Sequence, residues 1–71
     1  MSARLVRRLG RVLAALEERS PRSIAEISRV AGLPYATCHR LVQAMAAERL
    51  VCRDERTGRV SRPERPGAEP C

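Results

Sequence analysis

The chain has no lysine, no phenylalanine and no tryptophan, and Tyr35 is its one aromatic residue. No stretch approaches the ~18 consecutive apolar residues that a spanning helix needs, so a transmembrane segment is not expected. Its three cysteines show neither a CxxC nor a CxxH spacing. With so few aromatics, the core of this 71-residue chain must come from Ile, Leu, Val, Ala and Met. Nearly all of them are needed for that core, which leaves little to line a large pocket. No nucleophile–base pairing and no phosphate loop is visible, so the sequence does not read as an enzyme.

Other absences narrow the setting. The amino end, MSARLVRRLGRVLAAL, lacks the compact apolar run and small-residue cleavage site of a secretory signal. It does share the amphipathic, arginine-rich, acid-poor character of a transit peptide or a surface-binding helix, but the same stripe is needed to cover the core formed by residues 23–60. Without a secretion signal, Cys38, Cys52 and Cys71 are expected to remain thiols in a reducing cytoplasm. A metal site is not expected, because Cys38 and His39 are neighbours that point apart on a helix. No cofactor is expected.

What is abundant is arginine. Fourteen arginines face eight acids, for a net charge of +6. Residues 1–22 carry +4, residues 23–48 carry none and residues 49–71 carry +2. Positive ends flanking a neutral centre suit an anionic partner. The terminal run SRPERPGAEPC is rich in proline and poor in apolar residues, so residues 62–71 are expected to be a disordered tail behind a folded unit at 1–61.

Within that unit, Leu5, Leu9, Val12, Leu13 and Leu16 recur at helical spacing, predicting a helix from about Ala3 to Glu18. Arg4, Arg7, Arg8 and Arg11 fall on its other side, where they oppose the helix dipole. Gly10 weakens this helix unless it serves a close packing contact. Ser20-Pro21-Arg22 breaks the chain. Ser23 and Glu26 then form an S-x-x-E capping box that opens a second helix, with Ile24, Ile27 and Ala31 inward. Gly32 suits the left-handed position past its end, Leu33 fills the corner, and Pro34 fits the first position of a third helix. A helix, a tight glycine turn and a second helix make a helix-turn-helix.

In the third helix, at about 34–47, Cys38, Leu41, Val42 and Met45 face inward. Ala36, Arg40 and Gln43 fall on the opposite side, with Tyr35, Thr37 and His39 on the flanks. This set suits a nucleic-acid groove. Arginine bonds guanine edges, glutamine bonds adenine, alanine approaches a thymine methyl, and threonine reaches phosphate. An ordinary solvated helix face has the same composition, and the turn before it is what favours the groove. After it, Leu50–Arg53 reads as a strand with Leu50 and Cys52 inward, Arg56-Thr57-Gly58 as a turn, and Arg59-Val60-Ser61 as the return. A hairpin there is a wing, with Arg53, Arg56 and Arg59 lining it.

These residues resemble the amino-terminal domain of IclR-type bacterial transcription regulators. SIAEIS…AGLP, then Thr37, His39 and Arg40 at the start of the third helix, then ERLVCRD into the wing, carry the resemblance over residues 4 to about 60. It implies sequence-specific binding of double-stranded DNA, with the third helix in the major groove and helix 1 helping two domains to pair. Tyr35 stands where the family commonly has lysine. Val60 and Arg62 replace an aromatic and a leucine on the return strand, which predicts a weakly anchored wing. The family's effector-binding domain has no counterpart in these residues, so no small-molecule effector is expected.

The reading is therefore a mainly α, three-helix winged helix-turn-helix with a short carboxyl-terminal hairpin. Tyr35, Ala36, His39, Arg40 and Gln43 are the expected base contacts, and Arg22, Thr37, Arg53, Arg56 and Arg59 the phosphate contacts. Leu5, Leu9 and Val12 are expected to pair it with a second copy or a full-length regulator. The alternative is a winged-helix interaction module, or a remnant, that no longer binds DNA and acts through helix 1.

Overall fold

A computed structural model describes residues 2–63; Met1 and residues 64–71, which include most of the expected tail, lie outside it. The elements run α1 (Ala3–Glu18), α2 (Ile24–Ala31), α3 (Tyr35–Ala47), β1 (Cys52–Arg53) and β2 (Val60–Ser61). The three helices and the hairpin stand where the sequence places them, with shifts at three points that have physical causes.

Ser2 caps α1, its hydroxyl accepting from the Arg4 N–H at 3.2 Å. Val12, Ala15 and Leu16 are buried, Leu9 and Leu13 pack at the edge of the core, and Leu5 is exposed. The stripe thus enters the core only over the second half of the helix. Gly10 is exposed, and a Cβ there would meet nothing within 4 Å, so the expected close contact is absent.

The capping box of α2 forms in both directions. The Glu26 N–H donates to Ser23 Oγ, and the Ser23 N–H donates to Glu26 Oε1, each at 3.1 Å. The bond from the Ser23 backbone, then that with the Ser23 hydroxyl, hold the Glu26 carboxyl below the usual glutamate range; the charges of Arg59 and Arg22 act in the same direction. Gly32 ends α2 at φ 70°, and the Leu33 N–H returns to the Ser28 carbonyl at 2.9 Å. Leu33 is buried at the corner.

Pro34 stands one position earlier than expected. It is the N-cap of α3, extended at ψ 146°, and its carbonyl accepts from the Cys38 N–H at 2.9 Å. At its far end α3 stops by the same device as α2, but with an arginine. Arg49 takes φ 61°, its N–H donates to the Ala46 carbonyl, and the Leu50 N–H donates to Met45 at 2.8 Å. This reversal sets the next residues against the expected alternation. Val51 goes inward at 3% exposure and Leu50 outward at 43%, because the strand begins only at Cys52.

β1 and β2 are antiparallel, with Cys52 opposite Ser61 and Arg53 opposite Val60. Between them, Asp54 Oδ1 accepts from the Arg56 N–H and Thr57 Oγ1 from the Arg59 N–H, while Gly58 turns at φ 74°. The wing is not loosely attached, contrary to expectation. Val60 is fully buried, and its N–H and carbonyl exchange bonds of 2.7 and 2.8 Å with Arg22. Arg62 adds a bond to Ser20 Oγ and an ion pair with Glu17. A small β-branched residue seats the strand without the aromatic, because a third stretch of backbone pairs with it. Leu16, Ile27, Val42, Met45 and Val60 meet in one core drawn from all three helices and the wing.

Candidate nucleic-acid interface

The face of α3 is set by what the opposite side buries. Cys38, Val42 and Met45 are essentially inaccessible. Cys38 Sγ lies 3.8 Å from the Ile24 carbonyl, and burial pushes its thiol up, so it stays protonated and inert. With this side fixed on α1 and α2, Ala36, Arg40 and Gln43 are exposed together on the other, while Thr37 and His39 are half-buried on its flanks. Tyr35 is 56% exposed and stacks on His39, with ring centroids 6.2 Å apart and planes 27° from parallel. The chain's single tyrosine thus stands outside the core, at the start of this helix. The side chains of Arg40 and Gln43 make no hydrogen bond or ion pair among the described residues.

The wing arginines differ from one another. Arg56 is exposed at the turn, and Arg59 is exposed but close enough to Glu26 for its charge to be felt there. Arg53 is half-buried at the root of the hairpin, and its Nε is enclosed without a hydrogen-bond partner.

Two expected sites are corrected. Arg22 is 7% exposed. Its Nε donates to the carbonyls of Ala15 and Arg19 at 3.1 Å, and its Nη2 pairs with Glu18 at 3.1 Å. It braces the end of α1 and the residue just past it, and is not free for phosphate. Val12 is fully buried, so it belongs to the core and not to a pairing surface. Val6 is exposed beside Leu5, and Leu9 packs at the edge of the core. Val6 lies next to Leu5 at the edge of the stripe, a position the strict spacing passes over.

A cleft between the end of α1 and the wing is lined by Glu17, Ser20, Asp54, Arg59 and Arg62. Its two acids, one already paired with Arg62, make it a poor seat for a polyanion. Cys52 is disulfide-bonded, against the expectation of three thiols; Cys71 lies outside the described residues. No group of three or more His, Cys, Asp or Glu among the described residues is placed to hold a metal ion, and no described helix is long and apolar enough to cross a membrane.

Known proteins share this arrangement. The chain is similar to an IclR homologue from Microbacterium hydrocarbonoxydans, solved with 4-hydroxybenzoate, at 30% identity and a TM-score of 0.78. It is also similar to an IclR transcriptional regulator from Alicyclobacillus acidocaldarius, at 25% identity and a TM-score of 0.79. Each comparison covers 89% of this chain and 26% of the other, so the chain spans about a quarter of the length of those structures. No curated protein matches it. The IclR helix-turn-helix domain matches residues 5–55, most of the described residues and all of the helix-turn-helix. With the fold, the exposed face of α3 and that match in agreement, the chain belongs to the IclR helix-turn-helix family, the DNA-binding domain of IclR-type transcription regulators.

Proposed function

We propose that α3 lies in the major groove of double-stranded DNA and reads base edges with Tyr35, Ala36, His39, Arg40 and Gln43. Thr37, Arg53, Arg56 and Arg59 bond the flanking phosphates. The observation that carries this reading is the exposed row Ala36, Arg40 and Gln43, which is backed by a fully buried opposite face. Arginine and glutamine left without internal partners keep their donor forks for base edges. One recognition helix spans few base pairs, so a monomer binds weakly and with strong salt dependence. Pairing through Leu5, Val6 and Leu9, with a second copy or a full-length regulator, would supply the two half-sites that useful specificity needs. This function places the chain in the cytoplasm.

The test is a fluorescence-anisotropy titration against the DNA upstream of the chain's own coding sequence and against a shuffled duplex, at two salt concentrations. The expected result is a preference for the native duplex that persists at the higher salt. The three wing arginines should contribute a slope of about −3 in log affinity against log salt. Equal binding to both duplexes that vanishes with salt would reject base reading. It would favour the second reading, an interaction module working through the exposed Leu5 and Val6.

A further inference from the structure

The wing carries a disulfide. Cys52, half-buried on β1, is the residue bonded through its sulfur. Cys38 is a free thiol, fully buried on the inner face of α3. The sequence holds one further cysteine, Cys71, so by count it is the partner that remains.

The register of the hairpin fixes the side on which this bond lies. Cys52 is opposite Ser61, and Arg53 is opposite Val60, which is fully buried. The Asp54 N–H donates to the Arg59 carbonyl at 2.9 Å, which continues the pairing toward the turn. Facing residues share a side and neighbours alternate, so Cys52, Asp54, Arg59 and Ser61 stand on the outer side of the wing. Asp54, Arg59 and Ser61 line the cleft beside the end of α1, together with Arg62 and Pro63. The chain therefore leaves the wing at the residue paired with Cys52. A bond from Cys71 to Cys52 brings it back to the same place. Between those points Glu64 and Glu69 stand against one cation, Arg65.

We propose that Cys52 and Cys71 form a thiol–disulfide gate that lowers DNA affinity when closed and restores it when reduced. This rests on the DNA-binding reading above. In a reducing cytoplasm a disulfide is seldom a permanent staple, and such bonds serve mostly as transient sensors. Closed, the gate keeps residues 62–71 beside the outer side of the wing, where their acids compete with phosphate for Arg56 and Arg59. Closing gives up two electrons and two protons, and a peroxide is the fitting oxidant. One thiol is oxidised to a sulfenic acid as the O–O bond breaks and water leaves. The second thiol then displaces the hydroxyl as another water, forming the S–S bond. A dithiol reductant opens the gate through a mixed disulfide and leaves as a disulfide itself. Cys38 takes no part, because solvent does not reach it and burial keeps it protonated.

The test uses the full chain treated with hydrogen peroxide or with dithiothreitol. Alkylation and peptide mapping should find Cys52 joined to Cys71 after the first treatment and all three cysteines as thiols after the second. Against the duplex upstream of its own coding sequence, the oxidised form should bind roughly 5–20-fold more weakly, with a salt slope smaller by about one. Dithiothreitol should restore the affinity. Cys71→Ser should match the reduced wild type in affinity and melting temperature after either treatment.

A bond to Cys38, or between two chains, would overturn the gate. Tighter binding by the oxidised form would overturn it too, as would a peroxide effect that persists in Cys71→Ser. If the reduced form prefers the native duplex and oxidation changes nothing, the bond is a staple and the gate alone fails. If neither form binds any duplex, the DNA-binding reading fails and the gate falls with it.

Discussion

The seam where α1, Arg22 and Val60 meet and the outer face of α3 use the same residue type in opposite ways. At the seam an arginine is buried, bonded on three sides and paired through its backbone with the wing. On α3 an arginine stands in solvent with no partner among the described residues. Formal charge counts the two equally. Only the first holds the fold together, and only the second is left for something outside. A basic domain therefore has to be sorted by the partners of its cations before its charge says anything about ligands.

Substitutions can break this division. The largest effect is expected from Arg22→Ala, which removes the buried side-chain bonds to the Ala15 and Arg19 carbonyls and to Glu18 while leaving the backbone pairing with Val60 in place. It should lower stability by about 2–4 kcal/mol. In a domain this small that is a fall of roughly 10–25 °C in melting temperature, followed by circular dichroism. Arg40→Ala should do the converse. The expected loss is about 1–3 kcal/mol of DNA affinity, with relaxed preference at one base pair and the melting curve unmoved. If Arg22→Ala left the melting curve in place, or Arg40→Ala shifted it as much, the division between seam and face would be wrong.

A smaller effect sharpens the comparison from the backbone side. Arg49→Gly relieves a left-handed conformation that an L side chain resists, offset by the greater freedom of glycine in the unfolded chain. It should stabilise the domain by about 0.5–1 kcal/mol in urea titrations. A loss instead would mean that the Arg49 side chain contributes more than its backbone strain removes.

The smallest effect concerns acid. Glu26 holds its proton less tightly when folded, so its contribution is full above the ordinary glutamate range and is lost as pH falls through and below it. Glu26→Gln preserves the capping geometry. It should flatten the acid limb of stability against pH by lowering the neutral plateau slightly, with the two proteins converging at low pH. An acid limb as steep as that of the wild type would assign the loss to other carboxylates.

Most of the fold was legible because local signals agreed with one another. The capping box at Ser23 and Glu26, the glycine after α2 and the inward repeat Cys38, Val42 and Met45 are short-range features, and each appears in the structure. What was not legible depended on contacts between distant segments. Arg22 reads as a surface cation until the carbonyls of α1 and the strand of Val60 are brought to it. Val51 and Leu50 exchanged places because Arg49 adopted a conformation that its residue type does not advertise. Val12 reads as part of the same stripe as Leu5, and only the packing of α2 and α3 shows where along α1 the core begins. The exposed row on α3 was legible, since it follows from helical geometry once the buried face is known. Its partner is a matter for the titration.

The bridge between Arg22 and Val60 joins the segment after α1 to the return strand of the wing, with α2 and α3 contained between them. A hairpin this short would ordinarily fray on its own and expose its amides within seconds. Here the Val60 amide closes a loop containing α2, α3 and β1, so it exchanges with solvent only when that loop opens. Its hydrogen-exchange protection should therefore equal that of Val42 in the middle of α3, and the wing should behave as part of the slowest-opening unit of the molecule.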